Sequence, residues 1–203
     1  MTPPVIAGLI LAGGASSRMG SPKALLNIEN ETFIDRLASL FRRACSPVVV
    51  VLGHGSDTIR AGMKQPGWVR FSVNPDPERG MLSSLQCGLA LIPAEAEAVI
   101  FTPVDYPAIQ ATTIVRLAEA FHAQHAPVTL PTHEGRKGHP VCVSRDVIRQ
   151  LLALPVNGDA REVIRSFRDQ TRFVEVADPG ILHDIDRPED YESLQRRLAC
   201  AKS

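Results

Sequence analysis

The 203-residue sequence is short of several features that would narrow its role at once. It has no excess of either charge, with 22 Lys and Arg against 22 Asp and Glu. A duplex-binding protein usually carries a basic surplus or stripe, so nucleic acid is not expected as the main partner. Its four cysteines, Cys45, Cys87, Cys142 and Cys200, lie far apart and form no CxxC pair. That spacing argues against a disulfide framework or a zinc site and for reduced thiols packed as small hydrophobes. No apolar run approaches about 18 residues, and no basic stretch followed by an apolar core opens the chain. The expectation is a soluble, cytoplasmic protein with no membrane role. Internal repeats, low-complexity stretches and evident linkers are also missing, which suits a single domain spanning residues 1–203.

What is present is an alternation. Short apolar or β-branched runs occur at Val5–Ala12, Pro47–Leu52, Val69–Val73, Ala98–Thr102, Pro127–Pro131, His139–Ser144 and Arg172–Val176. Runs this continuously apolar predict strands covered on both faces. Between them, segments of helical period predict helices over Thr32–Ala44, Asp57–Lys64, Ser83–Ile92, Thr112–Gln124, Arg145–Leu154, Asp159–Asp169 and Pro188–Ala199. Such β-α-β order implies an α/β fold: a three-layer, mostly parallel, Rossmann-like sheet with helices on both faces. In open sheets of this kind ligands bind beyond the carboxyl ends of the strands, so the loops there are the informative ones.

The first strand runs into Leu11-Ala12-Gly13-Gly14-Ala15-Ser16-Ser17-Arg18-Met19-Gly20-Ser21-Pro22-Lys23. Glycines let backbone N–H groups approach a polyphosphate, serines add hydroxyl donors, and Arg18 and Lys23 add positive charge. The loop has neither the Gly-Lys-Ser/Thr of a Walker A motif nor GxGxxG spacing, which disfavours a dinucleotide-dependent dehydrogenase. Later loops carry Asn74-Pro75, Gly80-Met81-Leu82-Ser83-Ser84-Leu85, Pro103-Val104-Asp105-Tyr106-Pro107, Gly138-His139-Pro140 and Asp184-Ile185-Asp186-Arg187-Pro188. Taken one at a time, these read blandly. Ser83 and Ser84 suit a helix start, Asp105 a turn, and Asp184 or Asp186 the cap of the last helix. Alternation places Asp184 and Asp186 on one face of an extended segment.

Together and in order, from Leu11 to Asp190, the motifs resemble those of the molybdenum cofactor nucleotidyltransferases, within the superfamily that includes nucleotide-diphospho-sugar transferases. The resemblance implies attack by an acceptor phosphate on the α-phosphorus of a nucleoside triphosphate, with release of pyrophosphate. It implies nucleotide contacts from Leu11, Ala12, Gly13, Gly14, Ser17, Arg18, Lys23, Asn74, Gly80 and Ser84, with Arg18, Lys23 and Asp105 in catalytic roles. Asp105, with Asp186 as the second ligand, would hold Mg2+, and His139 would belong to the acceptor pocket. Many relatives have glycine before this aspartate, where the present chain has Val104. The implied acceptor is molybdopterin, with a molybdoenzyme or its chaperone as a further partner. The alternatives are another small phosphate acceptor, such as a sugar or polyol phosphate, and a non-catalytic chaperone that carries the cofactor.

The motifs divide over the base. Leu-Ala-Gly-Gly is typical of the guanylyl branch, whereas Gly80-Met81-x-Ser83-Ser84-Leu85 and Gly138-His139-Pro140 resemble the cytidylyl branch. The later, longer motifs favour CTP, with GTP as the second candidate. If this loop lies against the base, a methyl group at Gly13 is expected to crowd a purine and so to reduce GTP use more than CTP use.

Overall fold

The computed structural model describes residues 5–14, 20–155 and 157–200. The central strand, β1 (Val5–Ala12), is apolar along its whole length because both of its faces are covered. Ile6 and Ile10 enter one core cluster, while Ala7, Leu9 and Leu11 enter the other. β4 (Val48–Leu52) is buried at every position for the same reason. Between these two strands lie a two-stranded hairpin, β2 (Asn27–Ile28) and β3 (Glu31–Thr32), and the helix α1 (Phe33–Phe41). The chain continues through α2 (Ser56–Gly62), β5 (Arg70–Val73), α3 (Met81–Leu89), β6 (Ala96–Pro103), α4 (Ala111–Gln124) and β7 (Val128–His133). It ends with β8 (Arg136–Lys137), β9 (Val141–Ser144), α5 (Arg145–Ala153), α6 (Ala160–Ser166), β10 (Thr171–Glu175) and α7 (Pro188–Cys200).

The strand order in the main sheet is β10-β7-β9-β6-β1-β4-β5, with β8 paired to β7. β1 runs parallel to both β4 and β6, and β4 parallel to β5. β9 is inserted antiparallel between β6 and β7. The sheet is therefore mixed but mostly parallel, with helices on both sides, as the alternation predicts. One face packs on α1 and α4 through Phe33, Phe41, Ile114 and Phe121, and the other on α3 and α5 through Leu85, Leu89, Val147 and Leu151. Full burial of each such side chain contributes roughly 1.5–3 kcal/mol. α3 comes unusually near the sheet, because a Cβ at Gly88 would stand 2.3 Å from Leu9 Cδ1 and 2.6 Å from Val51 Cγ2.

From β1 the chain winds outward to β4 and β5, then returns to β6 on the far side of β1. That reversal leaves a crevice at the carboxyl ends of β1 and β6, the usual ligand position in open α/β sheets.

Candidate active site

A cleft of about 310 Å3 opens at this reversal. Its walls include Leu11, Ala12, Gly13 and Gly14 from the end of β1, Gly80 and Ser84 around the start of α3, and Lys23, Asp105 and Asp186. These residues come from four separated loops that the fold brings together. Ser17 and Arg18 lie outside the described residues.

Asp105 is fixed by the backbone on either side of it. Val104 N donates to Leu11 O at 2.9 Å, joining the end of β6 to β1, and Asp105 O accepts from Ile185 N at 2.8 Å. The second bond draws the segment around Asp186 across the cleft. Lys23 Nζ then lies 2.5 Å from Asp186 Oδ1 and 3.7 Å from Asp105 Oδ2. Asp105 Oδ1 is buried and has no hydrogen-bond partner among the described residues. Burial is the main cause that lifts the Asp105 carboxyl to about 6; Lys23 opposes the rise, and Asp186 and Asp184 add to it.

At the start of the last helix, the N–H groups of Asp186 and Arg187 donate to Asp190 Oδ2, at 3.0 and 2.8 Å. This carboxylate lies in the first turn of α7, while the Asp186 side chain accepts from Lys23. Asp184 is not among the residues lining the cleft, although its charge reaches Asp105.

Two expected site residues do not line this cleft. Asn74 is buried, and its amide donates to Ser83 Oγ at 2.8 Å and Ser84 Oγ at 3.0 Å. Its carbonyl accepts from Asp76 N at 3.0 Å. With both ends of the amide engaged, Asn74 braces the loop that positions Ser84 and does not line the cleft. His139 sits behind the site, with its ring centroid 4.6 Å from that of Tyr106. Enclosure lowers its pKa to about 4, so the imidazole is neutral near pH 7. Gly138 permits this packing, since a Cβ there would stand 2.1 Å from Ile181 O.

At Gly13 the structure shows a further contact that a side chain would meet. A Cβ at this position would stand 2.8 Å from Ser84 Oγ, inside the wall of the cleft. A methyl group would therefore push on Ser84 and its bond from Asn74. The turn after β4 is as tightly packed, for a Cβ at Gly53 would come within 2.5 Å of Gly13 O. The next residue is one the motifs do not point to: His54 Nδ1 lies 3.4 Å from Gly13 O, and Nε2 lies 2.8 Å from Glu78 Oε1. His54 thus links the first loop to the loop before α3. Only its place after a strand marked it in the sequence.

Among the described residues, no group of three or more His, Cys, Asp or Glu side chains converges as a metal cage. Two carboxylates facing one cleft, one with a buried unpartnered oxygen, instead suit a hard divalent ion that completes its shell with substrate phosphates and water. No helix among the described residues is long and apolar enough to cross a membrane.

A family model described as MobA-like NTP transferase domain matches residues 8–172. The molybdenum cofactor cytidylyltransferase of Escherichia coli (strain K12) is 28% identical over 190 residues, covering 93% of this chain and 95% of its own. A nicotine blue oxidoreductase of Paenarthrobacter nicotinovorans is 29% identical over 205 residues, covering 94% and 97%. Further relatives are named molybdenum cofactor guanylyltransferases. Among solved structures, Rv0371c from Mycobacterium tuberculosis H37Rv superposes with a TM-score of 0.83 at 28% identity, over 97% of this chain and 100% of its own. Rv0371c has also been solved in complex with manganese.

Proposed function

Because the chain belongs to the MobA-like NTP transferase domain family, we propose that it transfers the nucleoside monophosphate of CTP to the terminal phosphate of molybdopterin, releasing pyrophosphate. An acceptor phosphate oxygen forms a bond to the α-phosphorus as the bond from that phosphorus to the bridging oxygen of the β-phosphate breaks. A phosphate is already a nucleophile, so the protein need not activate a serine or cysteine. Its work is alignment and neutralisation of charge.

The observation that best supports this is the placement of Lys23 and Asp105 at the mouths of β1 and β6, facing the glycine backbone of the first loop. The N–H groups of Gly13 and Gly14 would cradle phosphate oxygens, and Lys23 would stabilise charge that builds up on them. Ser84, held by Asn74, would bound the nucleotide, and Arg18 would add a second cation. Asp105 and Asp186 would hold Mg2+, which when bound polarises the α-phosphate and neutralises charge on the leaving group. The manganese complex of Rv0371c makes Mn2+ the natural alternative ion to test. His139 would support the acceptor side through Tyr106. The proposed setting is the cytoplasm, with the whole chain acting as one domain.

CTP is favoured over GTP on the motifs around Ser84 and His139 and on the likeness to the Escherichia coli cytidylyltransferase. The test is pyrophosphate release from CTP, GTP, ATP and UTP, each with molybdopterin, a sugar phosphate or a polyol phosphate, in the presence of Mg2+ or Mn2+. Release restricted to CTP and molybdopterin is expected. A preference for GTP would reverse the choice of base. Release only with a sugar or polyol phosphate would replace the acceptor. Cofactor binding without any release would indicate a carrier. Turnover of nicotine blue without any release would indicate instead the oxidoreductase activity named for the Paenarthrobacter relative.

A further inference from the structure

The other end of the sheet holds a second cleft, of about 330 Å3, between the carboxyl end of α1 and the first residues of β4 and β5. Among the described residues its charged lining is Arg42 and Arg70, with no acidic side chain. Trp68 forms one wall, with 38% of its surface exposed. The Arg42 guanidinium lies over the indole, 4.6 Å from the ring centroid. Among the described residues neither arginine forms an ion pair with a carboxylate.

In a chain with equal numbers of acidic and basic residues, two unneutralised guanidinium groups on one cleft are a local excess. The dipole of α1 accounts for a cation at its carboxyl end, and so for Arg42. It accounts neither for Arg70, which begins β5, nor for an exposed tryptophan beside them. A guanidinium stacked on an aromatic ring keeps its N–H edge free and held in one orientation, and that edge matches the oxygens of phosphate or carboxylate. The volume is that of a small-molecule site.

We propose that this cleft binds a small oxyanion, a phosphate- or carboxylate-bearing molecule, held between Arg42 and Arg70 against Trp68. The site is separate from the nucleotide cleft, since none of its lining residues is shared with it.

Trp68 is the one tryptophan in the sequence, so intrinsic fluorescence reports on this cleft directly. Inorganic phosphate and, separately, succinate would be titrated into the full chain, with ionic strength held constant by chloride. The wild type, Arg70→Ala, Arg70→Gln and Lys23→Ala are compared, each first checked by circular dichroism. A saturable change is expected. Phosphate alone producing it identifies a phosphate ligand, succinate alone a carboxylate, and both a general oxyanion site. Either Arg70 variant should weaken the apparent Kd about ten-fold or more, through loss of a charge-assisted contact, whereas Lys23→Ala should leave it unchanged. The proposal fails if neither anion gives a saturable change, if the Arg70 variants keep the wild-type Kd, or if Lys23→Ala removes the response.

Discussion

Two aspartates near the same end of the molecule show opposite ways of enclosing a carboxylate. Asp178 is 1% exposed and fully served: Oδ2 accepts from Gln110 N at 2.8 Å and Thr113 Oγ1 at 2.6 Å, and Oδ1 from Gly180 N at 2.9 Å. It fastens the turn before α7 to the start of α4. Asp105 is also largely enclosed, yet its Oδ1 has no donor, and its carboxyl is lifted to about 6. A carboxylate that only supports the fold is surrounded by donors, because an unmet buried charge is costly. One left short matches the proposed role of holding an ion that supplies the missing charge.

Apart from replacing Asp105 itself, the largest expected effect comes from removing the cation that partly compensates it. Lys23→Ala should lower turnover by about 100- to 1,000-fold, the scale of losing one oriented charge that stabilises a transition state. Lys23 holds the Asp105 carboxyl down, so its loss should also move the acid limb of the pH–rate profile upward. Steady-state kinetics across pH, beside a thermal melt, checks both. Near-wild-type turnover would remove Lys23 from the chemistry.

Asp178→Ala should act on the other side of the contrast. It leaves two backbone N–H groups and a hydroxyl without their acceptor, which should cost about 3 kcal/mol of stability. The metal requirement of the folded fraction should not change. Urea denaturation with a metal titration on the same protein reads both quantities.

Smaller, and opposite in sign, is the stability effect of Asp105→Asn. The folded-state pKa is raised from 3.8 to about 6, so between these values the native state binds more protons than the unfolded chain. Stability from this group is therefore greatest below pH 4 and is lost as the pH rises through 6. The asparagine variant avoids that loss and should be more stable than wild type at pH 7, by about 1–3 kcal/mol. The gain should vanish near pH 4. His139, with its pKa lowered to about 4, slopes the other way over nearly the same range, losing stability as pH falls below 6.5. Subtracting the two denaturation curves at each pH cancels His139 and isolates Asp105.

Much of this arrangement was readable from the chain. The bounds of β1 match its apolar run, and β4, β6 and α4 fall within about two residues of expectation, the ordinary scatter of such boundaries. Long apolar runs and helical periods carry that information locally. The direction of β9 does not appear in its periodicity, because an antiparallel strand buried on both faces reads like a parallel one. The hairpin of β2 and β3 has only two residues per strand, too few to show a pattern. At the site, motif spacing brought Lys23, Asp105, Asp186 and Ser84 to one cleft. It could not separate Asn74, which braces the wall, from residues that form it, since both kinds stand in the same motif. Nor could it show that Asp190 accepts the N–H groups at the start of α7 while Asp186 pairs with Lys23. Those distinctions depend on which way a side chain points.

The most direct test of the contrast between the two aspartates is metal-dependent pyrophosphate release by Asp105→Asn, measured with CTP and molybdopterin over a range of Mg2+ and Mn2+. Asparagine keeps the shape of the side chain but lacks the charge that holds a hard cation. Release should fall by about 1,000-fold or more in a protein that melts no lower than wild type, as expected when a catalytic ion is lost. Asp186→Asn, at the more exposed carboxylate, should be milder. Unchanged turnover and an unchanged metal requirement in Asp105→Asn would contradict the account, leaving the unpartnered oxygen of Asp105 without a function.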